Sequence, residues 1–158
     1  MDQNPEPKHL HRLGRLWVEA PIYFITTNVH KRAPLLANDV AVGILQEVWQ
    51  NAEALYGWRV GAYVVMPDHV HFFCGTGRNT NTPLSLFIGK WKEWTAKHLH
   101  RRHDYPAQLW QPEFFDHLLR SEESYTEKWH YIWQNPVRAG LVSTDEDWPY
   151  RGTLNTLL

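Results

Sequence analysis

The alternation of apolar and polar residues along the chain predicts a series of β-strands and α-helices. Runs rich in β-branched and aromatic residues predict strands, and apolar residues that recur every three or four positions predict helices. Asn38 or Asp39 is a suitable N-cap for the first helix, and Gly57 follows its last apolar residue. The predicted strands cover residues 22–29, 62–66, 69–74 and 114–119, and the predicted helices cover residues 39–56, 83–103 and 121–135.

These elements follow one another in the order βαββαβα, and Pro67 and Asp68 form a tight turn between the two middle strands. The order is typical of an α+β domain with a ferredoxin-like (RRM-like) βαββαβ antiparallel sheet, here followed by an additional C-terminal helix. At 158 residues the chain has the length of one domain. We predict a flexible N-terminal arm over residues 1–15, which are polar and contain proline, and a folded domain over residues 16–158.

Composition excludes several classes of protein. No apolar stretch approaches the ~20 residues that a membrane-spanning helix needs, and the first residues lack the basic and apolar pattern of a signal peptide. Cys74 is the single cysteine, which excludes an internal disulfide framework. We therefore expect a protein that resides in the cytoplasm and does not contact the membrane.

Basic residues are concentrated in two patches, although the formal net charge is only −1. One patch lies in the N-terminal arm and the other on the second predicted helix. Such a patch can attract a polyanion even when the total charge of the protein is near zero. The solvent-exposed face of an ordinary helix, however, has a similar content of basic residues. Both interpretations stay open from charge alone. The candidate DNA-binding residues are Lys8, Arg12, Lys90, Lys97, Arg101 and Arg102.

The sequence His69-Val70-His71 lies on the third predicted strand. Side chains of a strand alternate between its two faces, so the two imidazoles leave the same face and Val70 leaves the other. Paired imidazoles are frequent ligands of divalent metals and leave coordination positions open for a substrate. The same alternation is also expected of ordinary polar residues on the solvated face of a sheet. A metal site therefore needs a third ligand from elsewhere in the chain.

Tyr131 and Asn135 lie four residues apart on the last predicted helix and therefore share one of its faces. Asn135 offers a neutral carbonyl oxygen as a third ligand. Tyr131 offers a phenol, which is a weak nucleophile until its proton is removed or its target is polarised. The residues alone are equally compatible with a packing tyrosine and with an asparagine that ends the helix before Pro136.

Two motifs together resemble a known family of enzymes. Met-Pro-Asp-His-Val-His is followed, about sixty residues later, by Tyr-Ile-Trp-Gln-Asn-Pro-Val-Arg-Ala-Gly-Leu-Val. This pair is similar to the IS200-type single-tyrosine transposases of the HUH superfamily, and in particular to the REP-associated tyrosine transposases. The likeness extends from about Tyr23 to Tyr150, so that residues 16–158 resemble one HUH single-tyrosine transposase domain.

The resemblance implies a metal-dependent endonuclease and strand transferase that cleaves single-stranded DNA at hairpin, REP-like palindromic sequences. By position it implies that His69, His71 and Asn135 bind Mg²⁺ or Mn²⁺. It also implies that Tyr131, on the C-terminal catalytic helix, forms a covalent 5′-phosphotyrosine intermediate. Members of the family with one active site per chain and members that share helices in a dimer both exist, so a monomer and a homodimer are both compatible with the sequence.

Two other functions remain open at the level of the sequence. The first is a non-catalytic ferredoxin-like nucleic-acid-binding module whose sheet stacks bases on aromatic residues. The second is a small metal-dependent hydrolase. A histidine-triad hydrolase needs a third alternate histidine where this chain has Phe73, and a metallo-β-lactamase-like site needs Asp and His where it has Phe73 and Cys74. Both of these hydrolase patterns therefore fail.

Overall fold

The computed structural model describes residues 21–76 and 80–157. The helices and strands occur in the predicted order, with short additions after the first strand and after the last predicted helix. Single turns of 3-10 helix cover His30–Arg32 and Asp145–Asp147. The strands are β1 (Ile22–Asn28), β2 (Trp58–Val65), β3 (His69–Thr76), β4 (Phe115–Leu119) and β5 (Arg151–Thr153), and the helices are α1 (Asp39–Tyr56), α2 (Leu84–His103), α3 (Glu122–Trp133) and α4 (Asn135–Arg138).

The five strands form one antiparallel sheet in the spatial order β4-β1-β3-β2-β5. The predicted α+β class and antiparallel sheet are therefore confirmed. The strand β5 was not predicted, because its sequence Arg-Gly-Thr has no apolar alternation. It forms by pairing with β2, where Gly152 lies opposite Tyr63.

The two faces of the sheet pack against different helices. On one face, Phe72 and other buried residues of the strands contact α1 and α2, whose side chains Trp49 and Trp91 stack with their ring centres 5.4 Å apart. On the other face, Phe73 packs in a second apolar cluster with Ile132 of α3. The histidines of β3 point to this second face, which is covered by α3 and is not the solvated face of an ordinary two-layer sheet.

The ends of the helices follow from local residues. The Asn38 side chain accepts a hydrogen bond from the backbone N–H of Ala41 at 2.9 Å, and Gly57 ends α1 in the left-handed conformation with φ of 73°. The last predicted helix is shorter than expected, since α3 ends at Trp133 and Asn135 begins the separate helix α4. Pro136 explains the interruption, because proline has no N–H to continue the helical hydrogen bonds.

Some of the sequence-based expectations fall outside the described residues. The predicted arm over residues 1–15, with its candidate DNA-binding residues Lys8 and Arg12, belongs to this part of the chain. Across the residues that the structure does describe, none of the helices has the length and apolar character needed to cross a membrane.

Two glycines provide a test of this fold: Gly43 lies within α1, and Gly57 is the C-cap of α1. A Cβ at Gly57 would lie 2.5 Å from Thr80 Oγ1, and the residue already has φ of 73°. We therefore expect Gly57→Ala to lower the free energy of unfolding by about 1–3 kcal/mol. Gly43 lies within α1 with nothing within 4 Å of a Cβ, so Gly43→Ala should raise it by about 0.5–1 kcal/mol. Urea denaturation of both variants measures this difference, and a stabilising Gly57→Ala would contradict the described end of α1.

Candidate active site

The register of β3 against β1 places the two histidines side by side. His69 lies opposite Asn28 and His71 lies opposite Thr26, with Val70 between them on the other face. The imidazole centres are 4.8 Å apart and the rings are nearly perpendicular, at 79°. The predicted arrangement of both imidazoles on one face is therefore confirmed.

A carboxylate orients the ring of His69. Asp68 Oδ1 lies 2.7 Å from His69 Nδ1, while Asp68 Oδ2 accepts a hydrogen bond from Arg32 Nε at 2.9 Å. Burial lowers the pKa of His69, and it outweighs the opposing effect of the Asp68 carboxylate. A neutral His69 that donates from Nδ1 keeps the lone pair of Nε2 for another partner. Asp68 itself loses solvation on burial, but hydrogen bonds and charge from His69 and Arg32 hold its pKa below the usual range.

The second imidazole is more deeply buried. His71 Nδ1 lies 2.8 Å from Thr26 Oγ1, and the ring stacks on Phe24 with centres 5.3 Å apart. Only 8% of His71 is exposed. Burial, assisted by the nearby positive charges, lowers the pKa of His71 to about 3, so the ring is neutral at physiological pH. With Nδ1 engaged by Thr26, Nε2 is again the nitrogen available to a metal.

Asn135 is the candidate for a third donor group. Its side-chain amide lies beside His69, with Nδ2 3.3 Å from His69 Nε2. The two ends of an amide have nearly the same shape, and a half-turn of this group would direct Oδ1 to the same position. The described residues contain no group of three His, Cys, Asp or Glu side chains that could hold a metal. A three-ligand site here would therefore include a neutral oxygen donor, for which the amide of Asn135 is the candidate, and two neutral imidazoles with one amide oxygen fit a divalent cation.

Tyr131 differs from the tyrosines near it in sequence. It lies near the end of α3 and is 54% exposed. Tyr125 packs against Phe73 with ring centres 4.7 Å apart, and burial raises the pKa of its phenol. Tyr150 is partly buried beside Trp148. Of these three phenols, that of Tyr131 is the most accessible to a DNA strand.

Three cationic side chains near the histidines were not among the site residues predicted from the sequence. Arg32, Lys128 and Arg138 all act electrostatically on His71. The Lys128 ammonium lies 5.3 Å from the ring centre of Phe24, and the Arg138 guanidinium lies 4.0 Å from that of Tyr131. These cations come from three separate segments and form no charge run that a sequence pattern would reveal. The Val-Arg pair of the second motif was the one available signal for Arg138.

The backbone beside β1 has an uncommon conformation that brings Arg32 to this site. Lys31 and Arg32 have φ of 55° and 54°, in the left-handed region that residues other than glycine seldom adopt. Two side-chain hydrogen bonds from the Arg32 guanidinium, to Asp68 and to Asn28, accompany this turn. The turn therefore connects the end of β1 to the residue that orients His69.

The basic residues predicted on α2 lie away from the histidines. The helix α2 packs on the opposite face of the sheet, next to α1. Lys90 and Lys97 both lie within ion-pair distance of Glu93, at 3.4 Å and 2.8 Å. Arg102 lies 3.4 Å from Glu47 of α1, and Arg101 is exposed on the same helix. The structure thus does not bring these residues to the site, and their role in DNA binding stays a prediction.

Comparisons with known proteins identify relatives with a similar sequence and a similar fold. The chain is 26% identical to the REP-associated tyrosine transposase of Escherichia coli (strain K12) over 137 residues, which cover 86% of this chain and 78% of that protein. A solved structure of a REP-associated tyrosine transposase bound to a REP hairpin has the same fold, with a TM-score of 0.71 at 24% identity. That match covers 83% of this chain and 75% of the other.

A family model described as "Transposase IS200 like" matches residues 18–135, which include His69, His71, Tyr131 and Asn135. The match covers most of the chain and confirms the resemblance found in the two motifs. This chain therefore belongs to the IS200-like transposase family, a family of DNA-processing enzymes.

Proposed function

We propose that this protein is a metal-dependent endonuclease and strand transferase that cleaves single-stranded DNA beside REP-like hairpins. The observation that carries the proposal is the convergence of His69, His71 and Asn135, with each imidazole Nδ1 engaged by Asp68 or Thr26. The solved relative bound to a REP hairpin supports the choice of a hairpin as substrate. We assign the activity to one domain, residues 16–158, acting in the cytoplasm, where the buried free thiol of Cys74 would stay reduced.

The residues of the site divide into metal ligands and a nucleophile. His69 and His71 would bind Mg²⁺ or Mn²⁺ through Nε2, and Asn135 would bind it through its amide oxygen. Bound there, the ion would neutralise charge on the scissile phosphate. Because two of the three donors are imidazole nitrogens, we expect Mn²⁺ to support the reaction better than Mg²⁺ in vitro.

Tyr131 carries out the chemical step. Its phenol loses a proton to water, the phenolic oxygen bonds to phosphorus, and the bond from phosphorus to O3′ breaks. The departing O3′ takes a proton from water, and the DNA stays attached to the protein as a 5′-phosphotyrosine. This bond is still a phosphodiester, so a different 3′-hydroxyl can reverse the step and join two strands without ATP.

Charge on the histidine face favours an approach of the DNA strand from that side. Lys128 lies beside Tyr131, 5.9 Å from its ring centre, and Arg32 lies beside Asp68. Cations around a reacting phosphate both attract the strand and stabilise the charge that develops in the transition state. The basic residues of α2 would then serve a more distant part of the hairpin.

The ligand assignment predicts that His69→Ala and His71→Ala each abolish cleavage and lower the affinity for Mn²⁺ by more than roughly tenfold. Electron paramagnetic resonance titration measures the affinity without DNA. His71→Ala should also lower the free energy of unfolding by about 1–3 kcal/mol, because it removes the ring that stacks on Phe24 and bonds to Thr26. His103→Ala, at the exposed end of α2, is the control. Cleavage by a folded His69→Ala protein at limiting metal would refute the assignment.

The nucleophile assignment predicts that Tyr131→Phe eliminates the covalent adduct and leaves hairpin affinity and Mn²⁺ binding nearly unchanged, since only one oxygen is removed. Tyr125→Phe is the matched control and should still form the adduct. Hairpin-bearing single-stranded oligonucleotides are incubated with Mn²⁺ and analysed on a denaturing gel. Peptide mapping of the trapped species then locates the nucleotide, and a modified Tyr125 or Tyr150 with unmodified Tyr131 would overturn the assignment. A protein that binds hairpins without an adduct would be a non-catalytic binding module.

The proposed approach of the DNA predicts which cations contribute to the salt dependence of binding. Each lost phosphate contact should reduce the slope of log affinity against log salt by roughly 0.7 for a single strand. We expect this change in Lys128→Gln, measured by fluorescence anisotropy. The double variant Lys97→Gln and Arg101→Gln tests separately whether the basic residues of α2 contact DNA phosphates. An unchanged slope in the first variant would contradict the approach over the histidine face, and an unchanged slope in the second would contradict the prediction for α2.

A further inference from the structure

Arg138, the last residue of α4, contacts Tyr131 in two ways. Its Nη2 donates a hydrogen bond to the backbone carbonyl oxygen of Tyr131 at 2.6 Å. Its guanidinium carbon lies 4.0 Å from the centre of the Tyr131 ring, which is the distance of a cation–π contact. Since 54% of Tyr131 is exposed, the protein core does little to hold the ring. The guanidinium on its face therefore restricts its rotation.

The position of Arg138 explains why this contact connects two parts of the site. Pro136 interrupts the helical hydrogen bonds between α3 and α4 because it has no N–H. Arg138 reaches back across this interruption to a carbonyl group seven residues earlier. Asn135, whose amide approaches His69, begins the same short helix. One side chain therefore ties the segment that carries the candidate ligand to the segment that carries the nucleophile.

We propose that Arg138 is a positioning residue for the reaction, which holds the phenol of Tyr131 for attack and keeps a positive charge on its ring. This inference rests on the proposed function. When Tyr131 attacks, the phenol passes to a phenolate-like state as its oxygen bonds to phosphorus and O3′ departs. When the step is reversed, the phenolate is the leaving group. A guanidinium stacked on the ring favours this anionic character in both directions.

The planar shape of arginine is as important as its charge. A guanidinium can stack on the ring and at the same time direct an N–H to the Tyr131 carbonyl oxygen, whereas a lysine ammonium is a compact point charge. Lysine at position 138 should therefore restore part of the function that alanine loses. The second nearby cation, Lys128, lies farther from the ring centre, at 5.9 Å, and would not replace the contact that Arg138 makes at 4.0 Å.

The test compares Arg138→Ala and Arg138→Lys with the full chain, using a hairpin-bearing single-stranded oligonucleotide and Mn²⁺. We expect the first-order rate of adduct formation at saturating DNA to fall roughly 10- to 100-fold in Arg138→Ala, with partial recovery in Arg138→Lys. The Kd for the hairpin should change by less than about twofold. Arg59→Gln is the control for loss of a positive charge, since Arg59 pairs with Glu53 at the end of β2 remote from the histidines. Its rate should equal that of the wild type.

Two results would overturn the proposal. The first is an unchanged rate in Arg138→Ala. The second is a loss that lies entirely in Kd, together with a salt slope reduced by about 0.7, because Arg138 would then be a phosphate contact. A wild-type protein that forms no adduct would refute the proposed function and the catalytic part of this inference with it.

A measurement without DNA separates these cases. In protein labelled with 3-fluorotyrosine, the ¹⁹F resonance of Tyr131 is identified by its absence in Tyr131→Phe. We expect this resonance to shift and narrow in Arg138→Ala, because the ring loses its charged neighbour and rotates more freely. An unchanged resonance would show that Arg138 does not hold the ring, whatever the activity of the wild type.

Discussion

The pairing of β3 with β1 is the constraint on which the site depends. In the observed register His71 lies opposite Thr26 and His69 opposite Asn28, so both imidazoles face α3. Side chains alternate with a period of two, and a slip by one residue would turn Val70 toward α3 and the histidines into the apolar layer under α1 and α2. That exchange would bury two imidazoles without their partners. The apolar cores on both faces therefore specify the position of the two imidazoles.

The site combines neutral imidazoles with positively charged surroundings, and burial makes the two compatible. A histidine at the surface would be partly protonated near neutral pH and would then have no lone pair for a metal. Burial lowers the pKa of both His69 and His71, and the charges of Lys128 and Arg138 act in the same direction on His71. Lys128, the cation that we expect to attract phosphate, thus also helps to keep His71 neutral. In the proposed reaction, phosphate recognition and metal binding would support each other in this way.

The sequence predicted the features that local residues determine. Asn38 and Gly57 marked the ends of α1, and the alternation at His69 and His71 placed both rings on one face. Features that depend on distant partners were not predictable. The strand β5 exists through its pairing with β2. Arg32 reaches Asp68 only through an uncommon turn, and the resulting cation cluster joins segments about one hundred residues apart. No pattern within a short window contains that information.

The last predicted helix is interrupted between Tyr131 and Asn135, which were expected to share one of its faces. The four-residue spacing implied one continuous helix, yet α3 ends before Asn135. Gln134, at the interruption, has φ of −85° and ψ of −4°, and its backbone N–H still donates to the carbonyl oxygen of His130. The two residues nevertheless occupy different environments. Asn135 lies beside the partly buried imidazole of His69, and Tyr131 is 54% exposed at the rim of the site.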